Sequence, residues 1–231
     1  MKTINNLTIS SWNIQGLGDK HRDDFFMSKI KYDINILIET WKGNDSTIDF
    51  PDFKTLQKFR RKKKRSRRFS GGIIILYKSK YHKGISVLDI TESENRLWIK
   101  LDKTFFGFKT DLFICACYIP PVTSPYYDED FVKLEQEISK IPNKDNILII
   151  GDLNARISNT SDYIEDEADI HSSIQNILPE NYNPDFNIKR NSMDKILNIQ
   201  GQNLIDLCIA SRLRVLNGRF VGDLFGNFTC H

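Results

Sequence analysis

A chain of 231 residues with 40% hydrophobic content can bury one large core or two small ones. It has no apolar run near the ~20 residues of a bilayer span, and residues 1–10 hold one lysine and no long apolar stretch, which predicts a soluble intracellular protein without a secretory signal. The net charge of +3 hides a lopsided distribution: residues 58–68 carry nine basic side chains in eleven, leaving the remainder at −6.

In chain order, residues 7–12 read as a short strand that delivers Asn13 at its end, followed by a turn containing Gly16 and Gly18. No Gly-Lys-Ser/Thr follows, so this is not a phosphate-cradling loop. Residues 22–31 carry Phe25, Phe26, Met27 and Ile30 at helical spacing, with Asp23 and Asp24 suited to a first turn. Residues 34–38 are a second, buried strand with Glu39 at its tip.

The basic run comes next: Lys58, Arg60, Arg61, Lys62, Lys63, Lys64, Arg65, Arg67 and Arg68. So many like charges repel one another, and they point to a polyanion or a nuclear import receptor as partner. A solvated hairpin tip is the plainer alternative. After the Gly71-Gly72 turn, residues 73–77, 85–90 and 97–101 form β segments about a dozen residues apart. That spacing suggests antiparallel strands of packed sheets.

Residues 111–118 form another strand, stopped by Pro120-Pro121, with Tyr118 at its end. There its phenol could donate to an anionic oxygen, or it could simply pack. Cys115 and Cys117 alternate along this strand with no zinc partners nearby, and they read as small hydrophobes. Residues 130–141 have helical spacing, closed by Pro142.

Residues 147–156 read Ile-Leu-Ile-Ile-Gly-Asp-Leu-Asn-Ala-Arg. Four apolar residues make a strand buried on both faces, and Asp152 and Asn154 follow it two residues apart. Held together, they could align a water and a phosphate oxygen; equally, they could only satisfy a turn. Strand ends thus supply Asn13, Glu39 and the Asp152/Asn154 pair, whose hard oxygen atoms suit magnesium or manganese better than zinc.

Residues 159–187 change character, rich in Asp, Glu, Asn and Ser, and predict a long surface excursion. Its acidic cluster at 162–169 lacks EF-hand spacing and reads as solvated loop. Residues 202–212 predict a helix and 213–216 a strand, before a Gly-rich ending. His21, His82 and His171 lie in unrelated contexts and read as structural or surface residues. No repeat or linker divides residues 1–231, so a single domain is expected.

Five segments occur in the order of a known superfamily: Trp12-Asn13-Ile14-Gln15-Gly16, Ile38-Glu39-Thr40, Gly71-Gly72-Ile73, Tyr118-Ile119-Pro120-Pro121 and Gly151-Asp152-Leu153-Asn154-Ala155-Arg156. The chain resembles the endonuclease/exonuclease/phosphatase superfamily. It is most similar to the apurinic-endonuclease-like domain of LINE-type (non-LTR) retrotransposons, a likeness extended by Arg190-Asn191-Ser192-Met193-Asp194, Leu216-Asn217-Gly218-Arg219 and the stretch from Gly222 to Thr229. The resemblance covers essentially the whole chain.

It implies a four-layer α/β sandwich, two packed, mainly antiparallel sheets flanked by helices, here with the final strands missing. It also implies magnesium-dependent (or manganese-dependent) phosphodiester hydrolysis, with nucleic acid, DNA first, as partner, no membrane, and a nuclear location. In its terms Glu39 would hold the metal with help from Asn13. Asp152 would orient and deprotonate the attacking water, Asn154 and Tyr118 would hold the scissile phosphate, and Thr229 would lie near it.

The family's pattern continues past Thr229 with an acidic residue and then Ser-Asp-His, whereas this chain stops at His231, which lacks that context. Impaired nicking is therefore expected. The alternatives are a relic that binds nucleic acid through its basic run, and hydrolysis of an RNA 3′ end or a phosphoinositide-type ester.

Overall fold

The computed structural model describes residues 6–43, 48–63, 66–142, 146–164 and 189–229. The chain parts into two compact units, Met1–Pro120 with Lys140–Leu153, and Pro121–Ser139 with Asn154–His231.

The first unit contains two four-stranded sheets. One is built from β1 (Ile9–Asn13), β2 (Ile34–Ile38), β3 (Phe53–Lys58) and β4 (Ile73–Lys78), in the order β1-β2-β4-β3. The other is built from β5 (Ile85–Leu88), β6 (Arg96–Leu101), β7 (Leu112–Tyr118) and β8 (Ile147–Asp152), in sequential order. Within each sheet one neighbouring pair is parallel, β1 with β2 and β7 with β8, and the other pairs are antiparallel. The unit is therefore an α/β sandwich of two mixed, mainly antiparallel sheets.

Alternation along β2 and β4 explains why β4 opens on the apolar run 73–77 and β2 is apolar except for Asn35. Ile34, Ile36, Ile38, Ile73, Ile75 and Tyr77 face Leu97, Ile99, Leu101, Ile114, Ala116 and Tyr118 of the other sheet. Leu37, Ile74 and Leu76 point the opposite way, onto Phe26 of the helix α1 (Asp24–Lys29), Ile30 just after it, and Ile14 and Leu17. A strand covered on both faces needs no polar side, and each such Ile contributes about 1.5–3 kcal/mol of burial. Asp23 caps α1, its carboxylate accepting from the Phe25 N–H at 2.8 Å.

Several expectations change. β3 carries little sequence signal, because Phe-Lys-Thr-Leu-Gln-Lys mixes polar and apolar residues without a clean face; its pairing with β4 settles it as strand. The 147–150 strand was expected to be buried on both faces, but β8 is half-buried along its length because it is an edge strand hydrogen-bonded only to β7 in its sheet.

In the second unit, α2 (Asp130–Ser139) packs against α3 (Ile199–Ser211), and Ile157, Ile164, Ile205 and Ile209 form a small core. Residues 213–216 are loop, not strand. The excursion expected at 159–187 does not begin as surface: Asp162, Tyr163 and Ile164 are buried, and residues 165–188 lie outside the described set. Asp162 is not part of a solvated cluster. Its carboxylate accepts from Arg219 at 2.6 and 3.0 Å and from the Val215 N–H at 2.6 Å. Burial alone would raise its pKa, and these donors hold it below the usual carboxylate range.

Candidate active site

Register places the candidate strand tips of the first unit at one end of its sheets. Asn13 pairs with Ile38 next to Glu39, and Ile38 pairs with Ile73 after Gly71-Gly72. In the other sheet, Tyr118 pairs with Asp152. The two parallel pairs send the C-terminal ends of β1, β2, β7 and β8 the same way, which is how residues over a hundred positions apart become neighbours.

Glu39 and Trp41 have left-handed φ values of 55° and 52°, a conformation that non-glycine residues rarely adopt and that clusters at functional sites. The backbone around them is gripped from both sides. Gly16 N–H donates to the Glu39 carbonyl at 2.7 Å and Leu17 N–H to the Thr40 carbonyl at 2.9 Å, while Trp41 N–H donates to the Gly71 carbonyl at 2.9 Å. Those hydrogen bonds hold the strained turn in one geometry.

Asp152 lies beside Asn13, whose amide N–H donates to it at 2.9 Å, joining the edge strands of the two sheets. The Asn13 amide oxygen accepts from the Gln15 N–H at 3.1 Å. Gly151 brings β8 in close: its φ is +146°, and a Cβ there would collide with the Cys117 carbonyl of β7. Any other residue would push Asp152 away from Tyr118.

Tyr118 is 8% exposed, and its phenol hydrogen-bonds to Glu39. Burial, then the Glu39 hydrogen bond and the negative charges of Glu39 and Asp152, push its pKa well above that of an ordinary tyrosine, with Arg60 opposing. The phenol is therefore a protonated donor at any physiological pH. Both carboxylates bear on this one phenol. Two carboxylates and an amide oxygen form an all-oxygen donor set of the kind that suits magnesium or manganese. Among the described residues no cluster of three or more His, Cys, Asp or Glu exists, so a metal here would rely on the amide as well as the carboxylates.

The basic run divides. It leaves β3 from the end that carries Glu39, since Lys58 pairs with Ile73. Lys62, Lys63, Arg67 and Arg68 are exposed, and Lys58 is half-buried at the end of β3. Arg61 is exposed and ion-paired with Glu94 at 3.1 Å. Lys64 and Arg65 lie outside the described residues. Arg60 does not fit the surface role expected of it. It is 4% exposed, donates to the Asn95 amide oxygen through Nε at 3.0 Å and through Nη2, and stacks over the Tyr118 ring at 5.0 Å. A guanidinium sealed in this way cannot meet a DNA backbone.

Asn154 and Thr229 belong to the second unit. Asn154 has φ 51° and its carbonyl accepts from Asn198 at 3.1 Å; Thr229 is exposed. Cys115, Cys117 and Cys208 are buried thiols. His82 hydrogen-bonds Tyr77 at 3.0 Å. His171, Cys230 and His231 fall outside the described residues. The residue that sequence reading passed over is Asn95: nothing local marks a polar residue before a strand as the anchor of an arginine 35 positions away.

No protein-family model and no curated protein matches the chain. Solved structures do resemble it. The 3′ phosphatase NExo from Neisseria, bound to a product DNA hairpin, is 15% identical over 87% of this chain and 71% of that one, with a TM-score of 0.47. An AP endonuclease from Archaeoglobus fulgidus is 12% identical over 87% and 70%, with a TM-score of 0.46. The catalytic domain of Xenopus laevis APE2 is 16% identical over 67% and 62%, with a TM-score of 0.47. At these values the likeness says nothing about the chemistry of the site.

Proposed function

We propose that this chain is a divalent-metal-dependent phosphodiesterase that nicks DNA, of the LINE-type retrotransposon kind. The observation that supports this best is the arrival of Glu39 from one sheet and Asp152 from the other around a single buried phenol, Tyr118. Paired sheet ends form a rigid base, and a site on such elements holds its groups more closely than one on loops.

In this reading Glu39 and the second lone pair of the Asn13 amide oxygen would hold magnesium or manganese, which when bound would offset negative charge on the phosphate oxygens. Asp152, fixed by the Asn13 amide, takes the proton of a water whose oxygen attacks phosphorus; the bond to the 3′ oxygen breaks and that oxygen leaves with the electron pair. Tyr118 donates to a phosphate oxygen. Its single O–H serves Glu39 in the resting protein, so gripping the phosphate requires that hydrogen bond to be exchanged. The exposed Lys62, Lys63, Arg67 and Arg68 hold the DNA backbone through charge, and the same run supports nuclear import.

Purified protein incubated with supercoiled plasmid and magnesium tests this reading. Conversion to open circles that stops with a chelator and with Glu39→Gln or Asp152→Asn is the expected result. Plasmid binding with no magnesium-dependent nicking, unchanged in Glu39→Gln, would replace the enzyme with a protein that only binds nucleic acid.

A further inference from the structure

We infer that Arg60 is a positioning residue that fixes the Tyr118 ring, and with it the position of the phenol oxygen, from beneath the candidate active site. A buried arginine is rare without partners to compensate its lost hydration. Here the compensation is built from three elements. Asn95, before β6, receives Nε and Nη2 on one amide oxygen. The Tyr118 ring offers its π-face at 5.0 Å, the arrangement of a cation–π contact. Gly71, before β4, leaves the slot: its φ is +65°, and a Cβ there would stand 2.5 Å from the guanidinium carbon.

Asn95 acts twice. Its side chain holds Arg60, while its carbonyl accepts from the Tyr118 N–H at 2.8 Å. It is itself braced by its own N–H donating to Ser93 Oγ at 3.1 Å. Tyr118 is thus held by its backbone and across its ring face, by two residues that are bonded to each other. A phenol has only two side-chain torsions, and pinning the ring plane fixes where its oxygen lies. The charged groups acting on that phenol are Glu39 and Asp152, which are negative, and Arg60, which is positive.

A fork is needed for this, because lysine cannot span one amide oxygen with two N–H groups and still lie flat on a ring. Arg60 is therefore distinct from Arg61, Lys62, Lys63, Arg67 and Arg68 of the same run, which are exposed. The inference rests on the reading of Tyr118 as a phosphate-gripping donor, and its test separates the two.

The experiment uses the full chain, with Arg60→Met, Arg60→Lys and Asn95→Ala alone, and with Arg60→Met combined with Tyr118→Phe. In plasmid nicking, Arg60→Met is expected to lower kcat about tenfold while KM and the salt dependence stay close to wild type, with Arg60→Lys in between. Arg60→Met should add little on top of Tyr118→Phe, because its effect passes through that phenol. Ring carbon NMR of 13C-labelled tyrosine, with Tyr118 assigned from Tyr118→Phe, should show the Tyr118 signals displaced in both Arg60→Met and Asn95→Ala. If Arg60→Met misfolds, Asn95→Ala carries the same measurements. Wild-type kcat in Arg60→Met, a loss in KM and salt slope like that of Arg67→Ala, or full additivity with Tyr118→Phe would each overturn the inference. Should wild type fail to hydrolyse DNA, the functional reading falls, and the Tyr118 signals alone decide what Arg60 does.

Discussion

The two ends of the first unit's sheets hold carboxylates in opposite ways. At one end Asp33 is saturated: it accepts from the Thr8 N–H at 3.0 Å, the Thr8 hydroxyl at 2.7 Å, the Lys78 ammonium at 3.0 Å and the Tyr81 phenol at 3.1 Å. At the other end Glu39 takes a phenol and Asp152 takes an amide. Those donors hold a carboxylate in place without cancelling its charge. The first arrangement suits a clasp that ties β1, β2 and β4 together. In the second, the phenol and the amide are neutral donors, and Glu39 sits on a strained turn. Acid residues at strand ends are common; what surrounds them separates a staple from a site.

The sharpest way to break this contrast is substitution at the two ends. Glu39→Gln or Asp152→Asn should cut magnesium-dependent nicking about 10³-fold while thermal melting stays near wild type. Asp33→Asn should do the reverse. Nicking by Asp33→Asn at the Glu39→Gln level would erase the distinction.

Tyr118→Phe comes next, since it removes the phenol O–H while keeping the ring on Arg60. A loss of about 10²-fold in kcat is expected, the usual size for one donor to developing charge. A melting temperature lowered by many degrees with kcat intact would instead place the phenol among the packing residues.

A smaller effect tests the clasp by pH. Burial would raise the pKa of Asp33, but the donors from Thr8, Lys78 and Tyr81 outweigh it and hold it at about 2, below its ordinary 3.8. A carboxyl depressed in the folded state stabilises fully above its unfolded pKa, and that contribution drains away as pH falls from 3.8 towards 2. After allowance for solvent screening it is about 1 kcal/mol. Melting curves of wild type and Asp33→Asn should therefore differ at pH 7 and converge near pH 2. A gap that stays constant with pH would show that the carboxylate's charge plays no part.

The smallest change lies in the basic run. Arg67→Ala with Arg68→Ala should reduce the slope of log affinity against log salt by about two for duplex DNA, with single-turnover cleavage of bound DNA unaltered. An unchanged slope would remove these two residues from the interface.

Much of this contrast was legible in the sequence. The segments at 7–12, 34–38, 73–77, 111–118 and 147–150 announced strands, and the tips Asn13, Glu39, Tyr118 and Asp152 followed from where those segments stop. Those properties are local: alternation and steric preference act over a few residues. Edge strands were less readable. The run at 147–150 looks buried on both faces, yet β8 is half-buried, because burial depends on what lies alongside rather than on hydrophobicity. Asp162 read as loop surface and is closed off by Arg219, 57 positions later.

By itself the sequence determined most of the strands, their polar tips and a block of positive charge, since each is written in neighbouring residues. Tertiary structure alone decided which tips meet: Asn13 reaches Asp152 across 139 positions because two parallel strand pairs end at the same side of the packed sheets. It also decided that one arginine of the basic run turns inward. Arg60 and Arg61 are adjacent and chemically identical, but Asn95 and the Tyr118 ring are near one and Glu94 and solvent are near the other. A guanidinium is stable wherever its N–H groups find acceptors, and only the folded chain says where those acceptors are.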